Sequence, residues 1–404
     1  MDLRTAHPYW LIRNGLLSTY PPLETDLECE VLVIGAGITG ALIADAFVAA
    51  GVDTVVIDKR EVGWGSTSAS TALLQYEIDT PLHELAGSFG REFAERCYQA
   101  CGRAIDLIAD LTAGLPDDCG FARAPSLFLA RKKSDRPLLE DEFAARRAAG
   151  FEVTWLDPED LAERFGIERS AAILSEKGGR VDAFRLAHRL LDRARSAGAR
   201  IHDRTKLTDY RVEGGKVIAG TDRGPTIHAR HIVFSTGYEA TRHLPKDLVD
   251  LNATFAVISE PVDPALLWER GSLIWESGSA YLYLRTTDDH RILIGGEDEP
   301  SRNPVKRDAR LARKTKVLLK KFAKLFPAIP FEPAFAWAGT FGETPDGLPY
   351  IGSHPDFPCA SFALGFGGNG ITYSILAAHL LRDGWLGREN PDKHLFRFDR
   401  GSGH

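Results

Sequence analysis

The chain has 404 residues, enough for one large core or two moderate ones, and its 44% apolar and 26% charged residues are ordinary for a globular protein. Its 49 basic and 56 acidic residues give a net charge of −7 without a long block of one sign, which argues against nucleic acid or an anionic membrane as partners. No apolar run reaches transmembrane length, residues 1–25 lack the architecture of a signal peptide, and five scattered cysteines predict reduced thiols and no metal site, so we expect a cytoplasmic protein.

A βαβ unit follows the N-terminal extension of residues 1–25. The stretch CEVLVIGAGITGALIADAFVAAGVDTVVIDKR predicts a buried strand, a glycine turn, a helix over residues 39–50 and a second strand ending at Asp58.

Three glycines, Gly35, Gly37 and Gly40, open this helix in a G-x-G-x-x-G pattern, and Asp58 closes the second strand. In such a unit the glycines allow a tight turn, a close approach of backbone to a pyrophosphate, and close packing of helix on strand. The free N–H groups of the helix N-terminus favour phosphates, and Asp58 can accept both hydroxyls of a ribose while its charge disfavours a 2′-phosphate. The pattern predicts a cofactor that contains ADP.

Small hydroxylated residues follow the second strand in the stretch GWGSTSAST. Here Gly65, Ser66, Thr67 and Ser68 can supply backbone and hydroxyl donors to the pyrophosphate and to the flavin side of an extended FAD. Beyond this loop, apolar residues near helical spacing predict one long helical stretch over residues 81–111.

The middle of the chain alternates helices with short strands. A helix is predicted over residues 138–149, and a buried strand closes at Thr236 and Gly237. Residues 253–298 have the period-two aromatic pattern of an antiparallel sheet, and a helix over residues 308–325 follows.

We therefore predict an α/β fold, α+β overall, in which a Rossmann-like FAD-binding domain is interleaved with a substrate domain built on a mostly antiparallel sheet. The predicted ranges are residues 26–80, 152–240 and 335–404 for the FAD-binding domain, and residues 81–151 and 241–334 for the substrate domain.

A second G-x-G-x-x-G occurs near the C-terminus in LGFGGNGITYS, at Gly365, Gly367 and Gly370. A second dinucleotide unit would need a helix, a buried strand and an acid after these glycines. The helix predicted over residues 372–383 is followed only by a polar turn and the short HLFRFDR. The sequence therefore predicts one nucleotide site, assembled from both ends of the chain.

Taken in order, the motifs VIGAGITG…VIDK, GSTSAST, IVFSTGYEA, ILIGGED, WAGTFGETPDGLPYIG and GFGGNGITYS resemble those of the FAD-dependent oxidoreductases of the D-amino-acid-oxidase-like family, which includes glycine and sarcosine oxidases. The resemblance covers nearly the whole chain. The aromatic N-terminal extension and the TALLQYEID segment look most similar to the γ-glutamylputrescine-oxidase-like branch.

The resemblance implies an enzyme that oxidises a C–N bond of a small amine or amino acid by hydride transfer to flavin N5. The resulting imine is hydrolysed, and O2 or another acceptor takes the electrons. Two alternatives stay open: a flavin dehydrogenase of a hydroxy acid or alcohol, and a flavin-bearing electron-transfer subunit of a larger complex. Substrate identity and oligomeric state are also open.

The resemblance further implies that residues 367–371 cradle the isoalloxazine, with the following helix aimed at its N1–C2=O edge. The full set of predicted cofactor contacts is Gly35, Gly37, Ile38, Thr39, Gly40, Asp58, Lys59, Gly65, Ser66, Thr67, Ser68, Leu207, Thr236, Gly237, Trp337, Gly339, Asp346, Gly367, Gly368, Asn369, Gly370, Ile371 and Thr372.

In the family the substrate lies between the flavin and the antiparallel sheet. On the strand YLYLRTT, Tyr281, Tyr283 and Arg285 share one face, so the tyrosines can line a pocket and orient an amine, and Arg285 can bind a carboxylate. These three are the predicted catalytic residues. Further candidates near the flavin loop are Trp64, Gln75 and His83.

Three positions depart from the family pattern. Phe341 stands where glycine-oxidase-like members carry the arginine for the substrate carboxylate, which argues against simple α-amino acids. Leu293 stands near the lysine that activates oxygen in sarcosine-oxidase-like members, which argues against fast oxidase behaviour. Gly339 stands where those members attach the flavin through a cysteine, so we expect non-covalent FAD.

Overall fold

The computed structural model describes residues 2–5, 7–242, 248–278 and 281–400. Within these residues the helices are α1 (Tyr9–Asn14), α2 (Ile38–Ala49), α3 (Ser66–Ala69), α4 (Leu82–Phe89), α5 (Arg91–Ala113), α6 (Arg136–Ala148), α7 (Pro158–Phe165), α8 (Ala183–Ser196), α9 (Pro304–Leu325) and α10 (Gly370–Trp385).

The strands in the same ranges are β1 (Leu27–Ile34), β2 (Thr54–Ile57), β3 (Leu73–Gln75), β4 (Ala122–Arg123), β5 (Ser126–Leu129), β6 (Val153–Leu156), β7 (Ala172–Ser175), β8 (Gly178–Arg180), β9 (Arg200–His202), β10 (Leu207–Glu213), β11 (Lys216–Thr221), β12 (Thr226–Phe234), β13 (Asp250–Ser259), β14 (Leu273–Glu276), β15 (Leu282–Thr286), β16 (Ile292–Pro300), β17 (Pro333–Glu343), β18 (Tyr350–Ser353) and β19 (Ala360–Leu364).

The first sheet carries the βαβ unit. Its parallel strands lie in the order β9, β2, β1, β12, and the far side of β12 pairs with β11 along its first half and with β19 along its second half. Strand β2 is buried along its whole length, as expected for a strand covered on both faces. Helices α2, α5, α8 and α10 pack into one apolar cluster that covers one face of this sheet.

The second sheet has the strand order β17-β13-β16-β15-β14-β5-β7-β6. Its pairs are antiparallel except for β14 with β5. Helix α9 packs on one face of it over a core of alternating inward residues. A small third sheet has the strand order β3-β8-β4.

The predicted fold class is confirmed: a Rossmann-like sheet and a mostly antiparallel sheet alternate along the chain. The long helix predicted over residues 81–111 is instead two helices. The break falls at Gly90, whose φ of 87° lies in the left-handed region that ends a helix.

The division into domains stays a prediction. Strands β6, β7 and β17 belong to the second sheet, so a division by sheets would shift the predicted boundaries near residues 152 and 335. The predicted ranges also include positions 1, 6, 243–247, 279–280 and 401–404, which lie outside the described residues.

Over the described part of the chain, no helix combines the length and the apolar character that crossing a bilayer requires. The same residues contain no group of three or more His, Cys, Asp or Glu side chains arranged to hold a metal ion.

Candidate active site

A large cavity of about 590 Å³ lies between the first and second sheets. Its first-sheet end is formed by segments that follow the carboxyl ends of β1, β2 and β12, where open parallel sheets bind ligands. Its second-sheet end is walled by β13, β16 and β17, by the two tyrosines at the start of β15, and by the turn between β19 and α10. The volume is typical of a small-molecule site.

The turn between β1 and α2 requires glycine at two positions. Gly35 has φ 108°, and a Cβ there would lie 2.6 Å from Ser235 O. A Cβ on Gly40 would collide with the carbonyl of Gly35, so this glycine allows α2 to pack against the strand end. At the first residue of α2, Ile38 N–H donates to Thr67 Oγ1 at 2.9 Å. Bare backbone and a helix N-terminus therefore line the first-sheet end of the cavity.

Asp58 lies just past β2 and also lines the cavity. Its carboxylate oxygens accept hydrogen bonds from Ala36 N at 2.7 Å and from Arg60 N at 2.8 Å. Burial raises the pKa of Asp58, while the two N–H groups favour its ionised form. Each oxygen keeps further lone-pair capacity, so the carboxylate can accept hydroxyl groups of a bound ligand.

Two cations and an acid stand beside Asp58. Lys59 Nζ and Arg60 Nη1 lie 2.6 Å and 3.2 Å from the carboxylate of Glu239. Burial alone would raise the pKa of Glu239, but the two cations outweigh it and hold that pKa at about 2. Close by, Thr236 Oγ1 lines the cavity and is buried without a hydrogen-bond partner, so it is available to a ligand.

Tyr281 and Tyr283 line the second-sheet end, with ring centroids 5.8 Å apart. Tyr283 pairs in register with Gly295 of β16, and a Cβ on Gly295 would lie 2.5 Å from the tyrosine ring. The glycine thus lets the ring lie on the neighbouring strand, where the Tyr283 hydroxyl is 3.1 Å from Thr254 Oγ1. Burial raises the pKa of both phenols, which therefore stay neutral at physiological pH.

Arg285 lies outside this cavity. It is 1% exposed, its Nη2 donates to Val181 O at 3.1 Å, and its guanidinium carbon lies 5.2 Å from the ring centroid of Trp10. Burial lowers the pKa of Arg285 to about 9. Helix α1, which carries Trp10, covers the arginine, so the structure does not bring Arg285 together with the two tyrosines.

The turn between β19 and α10 faces the cavity with residues 365–371. Gly367 has φ 52°, and the carboxylate of Asp79 fills the space beside Gly367 and Gly368. Gly368 N–H donates to Asp79 Oδ2 at 2.8 Å. This amide is therefore satisfied within the protein, whereas the start of α10 at Gly370 has open space beside it.

The sequence reasoning missed three carboxylates at the second-sheet end, those of Asp79, Asp298 and Glu343. Burial raises the pKa of Asp79 and raises that of Asp298 to about 6. Burial, together with the charges of Asp79 and Asp298, raises the pKa of Glu343 to about 7. The three come from separate segments, so no spacing in the sequence could have joined them; the acids inside YEID, GGED and GET were the available signal.

Most of the predicted cofactor contacts line the cavity: Gly35, Gly37, Ile38, Thr39, Asp58, Lys59, Gly65, Ser66, Thr67, Leu207, Thr236, Gly237, Trp337, Gly339, Gly367, Gly368, Asn369, Gly370 and Ile371. Four others have structural contacts instead. Gly40 packs under the turn, the Ser68 hydroxyl donates to Gly65 O, the Asp346 carboxylate pairs with Arg400 at 2.7 Å, and the Thr372 hydroxyl donates to Gln75 O.

The other residues singled out in the sequence also fall into two groups, those that line the cavity and those with contacts elsewhere. Gln75 and Phe341 line the cavity. Leu293 is fully buried in an apolar cluster, His83 Nδ1 lies 2.8 Å from the carboxylate of Glu142, and the Trp64 ring contacts a guanidinium near the N-terminus.

Comparison with known families gives a match over most of the chain. The sequence profile of the family described as "FAD dependent oxidoreductase" matches residues 30–383. Among curated relatives, glycine oxidase of Geobacillus kaustophilus is 26% identical, over 88% of this chain and 92% of its own length. Gamma-glutamylputrescine oxidoreductase of Escherichia coli is 22% identical, over 93% of this chain and 88% of its own.

Solved structures with the same fold cover nearly all of both chains. L-proline dehydrogenase from P. horikoshii superposes with a TM-score of 0.77 at 20% identity, over 93% of this chain and 99% of that one. Glycine oxidase from Geobacillus kaustophilus superposes with a TM-score of 0.75 at 24% identity, again over 93% and 99%.

Proposed function

Because the chain belongs to the family of FAD-dependent oxidoreductases, we propose that it oxidises a C–N bond of a small amine or amino acid at the second-sheet end of its cavity. One observation carries the proposal: a single cavity extends from the glycine turn between β1 and α2, at Gly35, to Tyr281 and Tyr283. A cofactor bound along it would reach from the turn to the tyrosines.

The lining residues fit FAD. The bare turn at Gly35 and the N-terminus of α2 would hold the pyrophosphate, and Asp58 would accept the ribose hydroxyls. The orphaned hydroxyl of Thr236 offers a further contact, and residues 369–371 at the start of α10 would lie at the flavin. No cysteine or histidine is among the lining residues that the structure describes, so we expect FAD to be bound without a covalent link.

FAD, when bound, supplies the acceptor for the hydride that leaves the substrate C–H bond. The protein's own contribution is orientation: the neutral phenols of Tyr281 and Tyr283 donate hydrogen bonds and wall the amine, and Phe341 excludes water. The amine loses a hydride and a proton to become an imine, and water converts the imine to a carbonyl compound and a released amine. O2 or another acceptor takes the two electrons.

The test is an anaerobic screen of the FAD-loaded protein. We expect primary or secondary amines, or amino acids, to bleach the visible flavin absorbance within minutes, and denaturation to release free FAD into the supernatant. Hydroxy acids and alcohols serve as the comparison set. Bleaching by hydroxy acids alone would contradict amine oxidation and favour the dehydrogenase alternative, while photoreducible FAD that no small molecule bleaches would favour an electron-transfer subunit.

A further inference from the structure

The second-sheet end of the cavity is acidic. Asp79 comes from the loop after β3, Asp298 from β16 and Glu343 from the end of β17, and all three line the cavity. Their charges act on one another, since Asp79 and Asp298 both contribute to the raised pKa of Glu343. They form one group, which we call the carboxylate cluster.

The hydrogen-bond partners that the structure describes for the carboxylate cluster are neutral; the hydroxyls of Thr254 and Tyr281 hydrogen-bond the carboxyl of Asp298 and lower its pKa. Asp79 accepts the Gly368 N–H, and Glu343 accepts from Asn252 Nδ2 at 2.7 Å. Asp298 Oδ1 is buried and has no hydrogen-bond partner. Over the described residues, no Lys, Arg or His forms an ion pair with any of the three.

Elsewhere this chain pairs its buried acids with cations. Glu142 Oε1 lies 2.8 Å from Arg146 Nε, and Glu276 Oε1 lies 2.8 Å from Arg169 Nη2. Burying a charge without a partner is costly, so an unpaired set in the cavity indicates that a ligand supplies the positive charge.

The cationic residues that line the cavity are at its other end. Within the described residues they are Lys59 and Arg60, which pair with Glu239, and Lys206, whose neighbour Thr205 donates its N–H to Asp58 O. At the second-sheet end, Phe341 offers no charge and Arg285 is covered by α1. A substrate carboxylate placed there would face three acids and no cation, which disfavours α-amino acids.

We propose that the substrate is a di- or polyamine without a carboxylate, and that Asp79, Asp298 and Glu343 bind the ammonium group distant from the bond being oxidised. The inference rests on the proposed function and names its substrate class. One amine is oxidised in neutral form, while the other keeps its charge at the carboxylate cluster. The rings of Tyr281 and Tyr283 wall the alkyl chain between the two nitrogens.

The experiment compares three probes of equal chain length with the FAD-loaded full-length protein, without oxygen. They are butane-1,4-diamine, butylamine and 4-aminobutanoate, which differ only in the group at the far end. Two readouts are followed for each probe: the equilibrium change in the shape of the flavin spectrum, which reports binding, and bleaching, which reports oxidation. We expect the diamine to half-saturate at a concentration at least about tenfold below that of butylamine, with 4-aminobutanoate weakest.

Charge removal at the carboxylate cluster should abolish this order. We expect Asp298→Asn and Glu343→Gln each to bring the half-saturating concentrations of diamine and butylamine within about threefold of each other. The matched control is Glu297→Gln, the neighbour of Asp298 on β16, whose carboxylate pairs with Lys314 and Lys321 and does not line the cavity. It should leave the diamine preference intact. The FAD content of each purified variant verifies that it is folded. If one of the two cluster variants does not fold, the other still tests the proposal.

Equal or tighter binding of 4-aminobutanoate than of the diamine would overturn the proposal, and so would an unchanged diamine preference in both cluster variants. The two proposals fail separately. A diamine that perturbs the spectrum with the expected variant dependence but never bleaches it leaves the cation site standing and removes amine oxidation. Bleaching by all amines without preference would support amine oxidation and remove the cation site.

Discussion

Arg285 illustrates what decides the role of one side chain. It alternates correctly with Tyr281 and Tyr283, yet it is buried under Trp10 and makes one hydrogen bond through Nη2, with Nε unpartnered. Strand alternation fixes the face on which a side chain lies but not what covers that face. Arg285 is not among the residues that line the cavity, and its guanidinium packs against Trp10 of helix α1.

We therefore predict that Arg285→Met leaves the half-saturating concentration of any substrate within about twofold of wild type, because the side chain is outside the cavity. Methionine keeps much of the buried volume, and replacing a poorly paired buried cation by an apolar side chain is often neutral or stabilising. The measurement is anaerobic flavin bleaching against substrate concentration, with the melting temperature recorded for the same samples. A large rise in the half-saturating concentration that is confined to carboxylate substrates would show that Arg285 binds the substrate after all.

At the scale of elements, the buried Arg146 of α6 links this helix to the wall of the cavity. Arg146 Nε lies 2.8 Å from Glu142 and its Nη1 lies 3.3 Å from Glu77, which itself lines the cavity. Its guanidinium also lies over the rings of Tyr76, Phe128 and Trp275. Because both carboxylates are buried, removing the arginine takes the cationic partner from Glu77 and leaves Glu142 with His83 alone of its two charged partners.

Arg146→Met should accordingly lower the free energy of unfolding by about 3–5 kcal/mol, the usual cost of breaking a buried ion pair from one side. Its neighbour on the same helix is the control: Arg147 is exposed, and its guanidinium lies over the ring of Phe143. Arg147→Met should change stability by about 0.5 kcal/mol or less. Urea unfolding of the FAD-loaded proteins measures both, and similar losses in the two variants would contradict the assignment.

The sequence predicts elements that carry their own local signal. The βαβ unit, its glycine turn and Asp58 are adjacent in the chain, and the structure places them together at one end of the cavity. The break at Gly90 and the assembly of the carboxylate cluster were not predictable in this way. The helix break depends on the single residue Gly90, while the residues on both sides of it have strong helical periodicity. The carboxylate cluster depends on the pairing of β13 with β16 and β17, which are far from β13 in the sequence.

For the whole molecule, two kinds of acid respond to pH in opposite directions. Glu142 and Glu239, buried acids that pair with cations, titrate low; the pKa of Glu142 is about 2 because Arg146 and His83 outweigh the effect of burial. The carboxylate cluster titrates high, with pKa values of about 6 for Asp298 and about 7 for Glu343. The paired acids therefore increase the free energy of unfolding as the pH rises from acidic values. The acids of the carboxylate cluster increase it as the pH falls toward acidic values.

Glu343→Gln should therefore gain stability relative to wild type as the pH rises. Glutamate has a pKa of about 4.3 in an unfolded chain, so the folded protein, with a pKa of about 7, holds the proton more tightly. The contribution of Glu343 is fully present below about pH 4.3 and is lost as pH rises through about 7, and glutamine has no such titration. The melting temperature of the variant minus that of wild type should rise between about pH 5 and about pH 8.

The stability difference between Glu297→Gln and wild type should change with pH in the opposite direction to that of Glu343→Gln. Burial would raise the pKa of Glu297, but Lys321 and Lys314 outweigh it, and the pKa is lowered in the folded protein. Its contribution is therefore present above the unfolded pKa and lost as pH falls. Glu297→Gln should lose stability against wild type at about pH 8 and lose less toward about pH 4. Parallel curves for the two variants would show that the pKa of Glu343 is lowered in the folded protein like that of an ordinary paired acid, whereas curves of opposite slope would show that it is raised.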